Sequence, residues 1–146
     1  ELVAAMPDWK FLILGRDWED FLAKNNLDKN PNIEYFRFSK KTRNEVMSRA
    51  SVFLSLSNLE GGPVPLIEAM ALGVAPVATN TGFARDVILR NDAGIIIPIN
   101  ESVLKIKEAI TSAALLQGDI SGAVSHLTWD RIAKLTFEDL SLITAK

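Results

Sequence analysis

The sequence predicts an α/β fold, a Rossmann-like parallel sheet with helices on both faces, and three observations predict it. Short apolar runs rich in branched residues alternate with segments of helical period. Each such pair occupies roughly 25 to 30 residues, the length of one βα unit. The 146 residues, 48% of them hydrophobic and 23% charged, suit a single domain with one core, and no low-complexity tract, internal repeat or linker divides them.

The elements follow in order. Glu1 to Met6 reads as the tail of a helix, so a strand is expected to precede it. Lys10 to Gly15 is a continuously apolar strand. From Asp17 to Asn25, Trp18, Phe21 and Leu22 share one helical face. Asn32 to Phe38 is a second strand. Thr42 with Glu45 three residues on forms a capping-box pattern, in which hydroxyl and carboxylate satisfy orphan backbone amides, and the helix it opens runs to about Ala50. Ser51 to Leu56 is the third strand, Val64 to Leu72 a helix, Val74 to Ala78 the fourth strand and Arg85 to Leu89 a short helix. Ala93 to Ile99 is the fifth strand, and helices over Glu101 to Gln117 and Thr128 to Ile143 close the chain. Trp9, Trp18 and Trp129 fall on apolar faces and are expected to pack.

Composition narrows the chemistry. Sixteen basic residues against eighteen acidic ones give a net charge of −2, which offers no field for a nucleic-acid backbone. With no cysteine there are no disulfides, thiolate metal sites or cysteine nucleophiles, and one histidine is too few for a zinc site. His126 is expected to be structural. Apolar runs stop well short of the ~20 residues that span a bilayer. These features predict a cytoplasmic protein without a transmembrane segment.

In open parallel sheets ligands bind beyond the carboxyl ends of the strands, so the loops after Gly15, Phe38, Leu56, Ala78 and Ile97 form the candidate binding edge. The most informative run is Ser57 to Thr79, SNLEGGPVPLIEAMALGVAPVAT. Gly61 and Gly62 leave the backbone open to close approach, and Pro63 stands where the first helical residue is expected. Amides around Val64 at the helix start, with the positive dipole end behind them, make an anion site; a tight strand-to-helix turn is the structural alternative. The run has neither a Walker Lys nor a GxGxxG. Glu60 and Glu68 face the same crevice, where paired carboxylates can bind sugar hydroxyls. Glu68 sits in an apolar helix, a costly place for an unpartnered charge. Arg16 follows a strand and can reach a phosphate or base, Arg85 stands near the site, and Lys40 and Lys41 read as solvated.

Glu60, seven residues, Glu68, then Ala69-Met70-Ala71, Gly73, Pro76-Val77 and Ala78-Thr79 resembles the donor-binding half of the family 4 retaining glycosyltransferases of GT-B fold. Arg49-Ala50-Ser51-Val52, Thr81-Gly82 with Asp86-Val87, Asn91-Asp92-Ala93-Gly94 and Thr128-Trp129-Asp130 extend the similarity over nearly the whole chain. The resemblance implies that Glu68 binds the ribose hydroxyls of a nucleotide-sugar and that Glu60 contacts the transferred sugar as the catalytic-site carboxylate. It implies that Gly61, Gly62 and Val64 supply amides to the diphosphate. The donor is then a UDP- or GDP-sugar bound without cofactor or metal, and the acceptor a glycan or lipid-linked molecule held by a second, N-terminal domain. On this reading residues 1–146 are one nucleotide-sugar-binding domain, a fragment lacking its first strand and the acceptor domain, and any peripheral contact with the cytoplasmic membrane face belongs to that absent part.

The departures from the family pattern are specific. The family's Gly-Arg strand end with its Lys falls before Glu1. The second glycine of its Gly-x-Gly is Asp17, the glycine near Arg37 is missing, leaving base contacts at Arg37 and Phe38 open, and its usual glutamate after Gly82 is Asp86. Two other readings stay in play: a sugar-nucleotide epimerase-like domain, whose catalytic histidine and paired acids have no counterpart here, and a non-catalytic nucleotide-sugar-binding or regulatory module. A signalling receiver needs an aspartate ending the third strand, which here ends in Ser57-Asn58.

Overall fold

The computed structural model describes residues 1–144. In chain order the elements are α1 (Leu2–Ala5), β1 (Phe11–Gly15), α2 (Glu19–Lys24), β2 (Ile33–Arg37), α3 (Lys40–Ser48), β3 (Val52–Ser55) and α4 (Val64–Ala71). They continue with β4 (Ala75–Thr79), α5 (Ala84–Val87), β5 (Ile95–Ile97), α6 (Val103–Ala113), α7 (Ile120–Val124) and α8 (Trp129–Thr144). Each predicted strand and helix is present, and every described strand pair is parallel. No described helix is long and apolar enough to cross a membrane.

The expected single sheet is instead two. β1 pairs with β2 from Phe11↔Ile33 to Gly15↔Arg37, while β3, β4 and β5 form a second sheet in that order. Among the described residues both β1 and β3 therefore have a strand partner on one edge only, and Phe11, Leu12 and Leu14 line the same cavity of about 1170 Å³ as Val52, Phe53 and Leu54. A continuously apolar run is the signature of a strand covered on all sides. β4 reaches that burial at all five positions, whereas every residue of β1 and β3 is only half-buried.

The core lies around β4. Leu66, Ala69 and Met70 of α4 are fully buried at helical spacing, and Leu66 and Met70 share one core cluster with Val77, Ala78, Ala93, Ile110, Ala113, Ile120 and Val124. Because the apolar stripe of α4 runs through 66, 69 and 70, Glu68 lies off it, and the charge does not enter the core.

Local chemistry revises several boundaries. Ser39, not Thr42, caps α3: its backbone is extended (φ −147°, ψ 162°), its Oγ accepts the Thr42 N–H at 3.0 Å, and Thr42 Oγ1 accepts the Ser39 N–H at 2.8 Å. Thr42 is thus the third helical residue, and its hydroxyl takes the place expected of the Glu45 carboxylate. Pro63 is likewise the cap of α4 rather than its first residue, with Pro65 inside the first turn. α7 was not anticipated; the Asp119 carboxylate, accepting the Gly122 N–H at 2.8 Å, starts it. Trp129 is 84% exposed, against the packing role expected of it. Trp18 is also exposed, but its ring covers Gly15, where a Cβ would come within 2.5 Å of the indole nitrogen, and meets Phe21 edge-on at 5.4 Å.

Candidate functional site

The carboxyl ends of the strands carry the polar groups. At the end of β4, Thr79, only 4% exposed, donates its hydroxyl proton to the Ser57 carbonyl at 2.6 Å and so pins the chain beyond β3. Ser57 Oγ donates to Glu60 Oε1 at 2.7 Å. Glu60 is thus a half-buried side chain aimed by a hydroxyl that a buried threonine fixes, not a free loop carboxylate.

Beyond Glu60 the chain passes Gly61 and Gly62 and enters α4. Neither glycine has positive φ, so their freedom of conformation is not what this turn uses. They differ in surroundings: a Cβ on Gly61 meets nothing within 4 Å, whereas one on Gly62 would lie 2.5 Å from the Phe83 ring. Pro63 and Pro65 have no N–H, and the Val64 N–H, expected to be free, donates to the Gly62 carbonyl at 2.8 Å. Among the described residues no protein acceptor takes the N–H of Gly61 or Gly62, so those two exposed amides are the open donors ahead of the helix.

Gly82 supports this loop from the other side. Its φ is +51°, and a Cβ there would stand 3.0 Å from the Gly61 carbonyl oxygen and 3.1 Å from that of Glu60. Gly82→Ala is expected to lower stability by roughly 1–3 kcal/mol, from left-handed strain plus displacement of the loop. Urea unfolding reads this directly, and a change below ~0.5 kcal/mol would show that the loop yields freely.

Glu68 is not unpartnered. Arg43 of α3 donates from Nη1 to Glu68 Oε1 at 2.5 Å, and the two side chains are 28% and 29% exposed. Phe38, Arg43, Val64 and Glu68 all line the cavity between the two sheets. Next to them, at the end of the first sheet, the Arg16 guanidinium lies 5.5 Å from the centre of the Phe38 ring, and the Phe38 N–H donates to the Gly15 carbonyl at 2.8 Å. Asp17, where the family resemblance expects a glycine, takes φ +59°, a left-handed conformation that aspartate is among the few non-glycine residues to tolerate.

Arg37 and Phe38 thus stand at the sheet end, as the sequence suggested, while Lys40, Lys41, Asp86 and His126 are exposed. Arg85 donates to Asn80 Oδ1 at 2.6 Å. Sequence reasoning missed Ser57, Thr79, Phe83 and Arg43. An acid inside an apolar helix was the signal for the last, since such a charge calls for a cation, but only the fold says which one.

The family model "Glycosyl transferases group 1" matches residues 1–119. A curated relative, the phosphatidyl-myo-inositol mannosyltransferase of Mycolicibacterium smegmatis, is 32% identical over 105 residues, covering 70% of this chain and 27% of its own. Among solved structures, sucrose-phosphate synthase from Thermosynechococcus elongatus is similar over 99% of this chain and 41% of its own, with a TM-score of 0.77 and 22% identity. The Anabaena HepE protein in complex with UDP is similar over 96% of this chain and 44% of its own, with a TM-score of 0.72 and 18% identity. The chain therefore spans less than half the length of each of these proteins, and its α/β fold is that of GT-B glycosyltransferases.

Proposed function

Because the chain belongs to the group 1 glycosyl transferases, we propose that it is the donor-binding domain of a family 4 retaining glycosyltransferase that takes a sugar from a UDP- or GDP-sugar to a glycan or lipid-linked acceptor. The observation that carries this reading is that one loop and the helix it enters supply both a cation-held carboxylate, Glu68, and two open loop amides, those of Gly61 and Gly62. The UDP held by the Anabaena protein of the same fold agrees with it.

On this reading Glu68 accepts the ribose hydroxyls. Gly61 and Gly62 donate to the diphosphate, joined by Val64 once its amide leaves the Gly62 carbonyl. The Arg16 and Phe38 pair offers a flat surface for the base. Glu60, whose Oε1 is taken by Ser57, contacts the transferred sugar through its other oxygen. The bond from the anomeric carbon to the leaving phosphate oxygen breaks with its electron pair on the diphosphate. The acceptor hydroxyl oxygen bonds that carbon and gives up its proton to the departing diphosphate. Amides and the dipole of α4 stabilise charge that grows on the leaving group, which makes them stronger partners in the transition state than in the ground state. No metal is invoked.

The cavity between β1 and β3 fits the same proposal. Two apolar, half-buried strands with open edges on one cavity are completed by a further parallel strand between them, giving one sheet and a Rossmann-like order. That strand and the acceptor-binding domain are assigned to sequence preceding Glu1 in a longer protein.

The test is transfer itself. Full-length protein offered UDP- and GDP-sugars with simple glycan and lipid-linked acceptors is expected to give a product whose anomeric configuration, read by NMR, matches the donor's. Residues 1–146 alone are expected to give none. Inverted product would remove the retaining assignment, and sustained turnover by the isolated chain above a Glu68→Ala control would remove the two-domain reading.

A further inference from the structure

We propose that Arg43 is a positioning residue for Glu68, one that fixes which carboxylate oxygen the donor's ribose meets. The inference rests on the reading of Glu68 as the ribose contact and concerns what makes that contact specific.

Arg43 and Glu68 lie 25 residues apart on different helices, and their meeting is built from below. The Ser39 cap sets where α3 begins, which places Arg43 within its first turns. The apolar stripe of α4 sets which way that helix is turned, which carries Glu68 out of the core and toward α3. The guanidinium is held on two sides, since Nε donates to Asn44 Oδ1 at 3.2 Å while Nη1 donates to Glu68 Oε1 at 2.5 Å. Among the described residues no protein group donates to Glu68 Oε2.

The pair is therefore one-sided: Oε1 is committed to a cation and Oε2 is not. A ribose carries two adjacent hydroxyls, both donors, and a carboxylate whose rotation has been stopped by a cation presents its open oxygen and remaining lone pair in one orientation. Held this way it loses little freedom when the diol arrives, and pre-organisation of that kind improves affinity without adding a contact. Arginine suits this role because its planar fork keeps direction where a lysine ammonium does not. A surface ion pair that served stability alone would contribute little and would be indifferent to the ribose hydroxyls.

The experiment is calorimetric titration of full-length protein with UDP and GDP, and with the 2′,3′-dideoxy form of each. The variants are Arg43→Met, Arg43→Lys, Glu68→Gln and the double variant Arg43→Met/Glu68→Gln. Arg43→Met is expected to weaken binding of the ribose-bearing nucleotide roughly 3- to 30-fold and to leave the dideoxy nucleotide unchanged. Arg43→Lys is expected to recover part of the loss, and in the Glu68→Gln background Arg43→Met is expected to add nothing. Where Arg43→Met does not fold, the lysine variant is read against the same two ligands. Equal losses for ribose and dideoxy nucleotides, or a full additional loss in the double variant, would overturn the proposal by showing that Arg43 acts on the ligand directly or only on the fold. An unchanged affinity in Arg43→Met beside a weakened Glu68→Gln would overturn it while leaving the ribose reading intact. An unchanged affinity in Glu68→Gln would remove the ribose reading and this inference with it.

Discussion

Glu68→Gln is expected to weaken nucleoside diphosphate binding by the full-length protein roughly 10- to 150-fold while leaving the fold unchanged. The substitution keeps shape and volume but removes the charge, and hydrogen bonds to a charged group are worth about 1.5 to 3 kcal/mol. The fold is expected to stay because Glu68 lies off the buried stripe of Leu66, Ala69 and Met70, and its ion pair with Arg43 is partly exposed, in the class worth about 0–1 kcal/mol. Calorimetry gives the affinity and thermal unfolding the stability. Unaltered affinity with lowered stability would make the carboxylate a helix-to-helix tie.

Gly61→Val is expected to remove most of what the diphosphate contributes, bringing the affinity for UDP or GDP down toward that of the plain nucleoside. The structure chooses this position over its neighbour. A side chain at Gly62 would collide with Phe83, so a loss there would mix folding with binding, whereas Gly61 has open space and ordinary backbone geometry. A branched side chain at Gly61 is therefore tolerated by the protein and resisted by a phosphate approaching its amide. Two charge-assisted bonds at about 1.5 to 3 kcal/mol each set the scale, so the loss is expected to exceed roughly 100-fold for the diphosphate and to be slight for the nucleoside. Equal losses for the two ligands would defeat the phosphate-loop assignment.

The expected effects rest on features of unequal visibility in the sequence. The α/β alternation was legible because each strand is a compact branched run and each helix has its own period, and the loop from Ser57 to Val64 was legible because glycines and a proline punctuate it. The two-sheet arrangement was not legible from the runs themselves: KFLILG and SVFLSL read as interior strands, whereas in the structure both are half-buried and lie in different sheets. The cap of α3 lies three residues before the expected Thr42 because Ser39 and Thr42 are both competent hydroxyls, and the choice between them is made by where β2 ends and the backbone turns extended. The partner of Glu68 was invisible for a different reason. An ion pair between helices depends on the rotation of each about its own axis, which core packing sets and local sequence does not. Asp17 shows the reverse case, a position that departs from the glycine pattern and still takes a left-handed backbone, which aspartate tolerates.

Whether the strand-end edge around α4 receives a nucleoside diphosphate is read by an amide NMR titration of the full-length protein with UDP and with GDP. The largest shifts are expected on the amides of Gly61, Gly62 and Val64, with smaller ones at Arg16 and Phe38, and the plain nucleoside is expected to move the Arg16 and Phe38 signals but not the glycine pair. Saturable binding whose shifts leave Gly61 and Gly62 unmoved would contradict the phosphate-loop assignment.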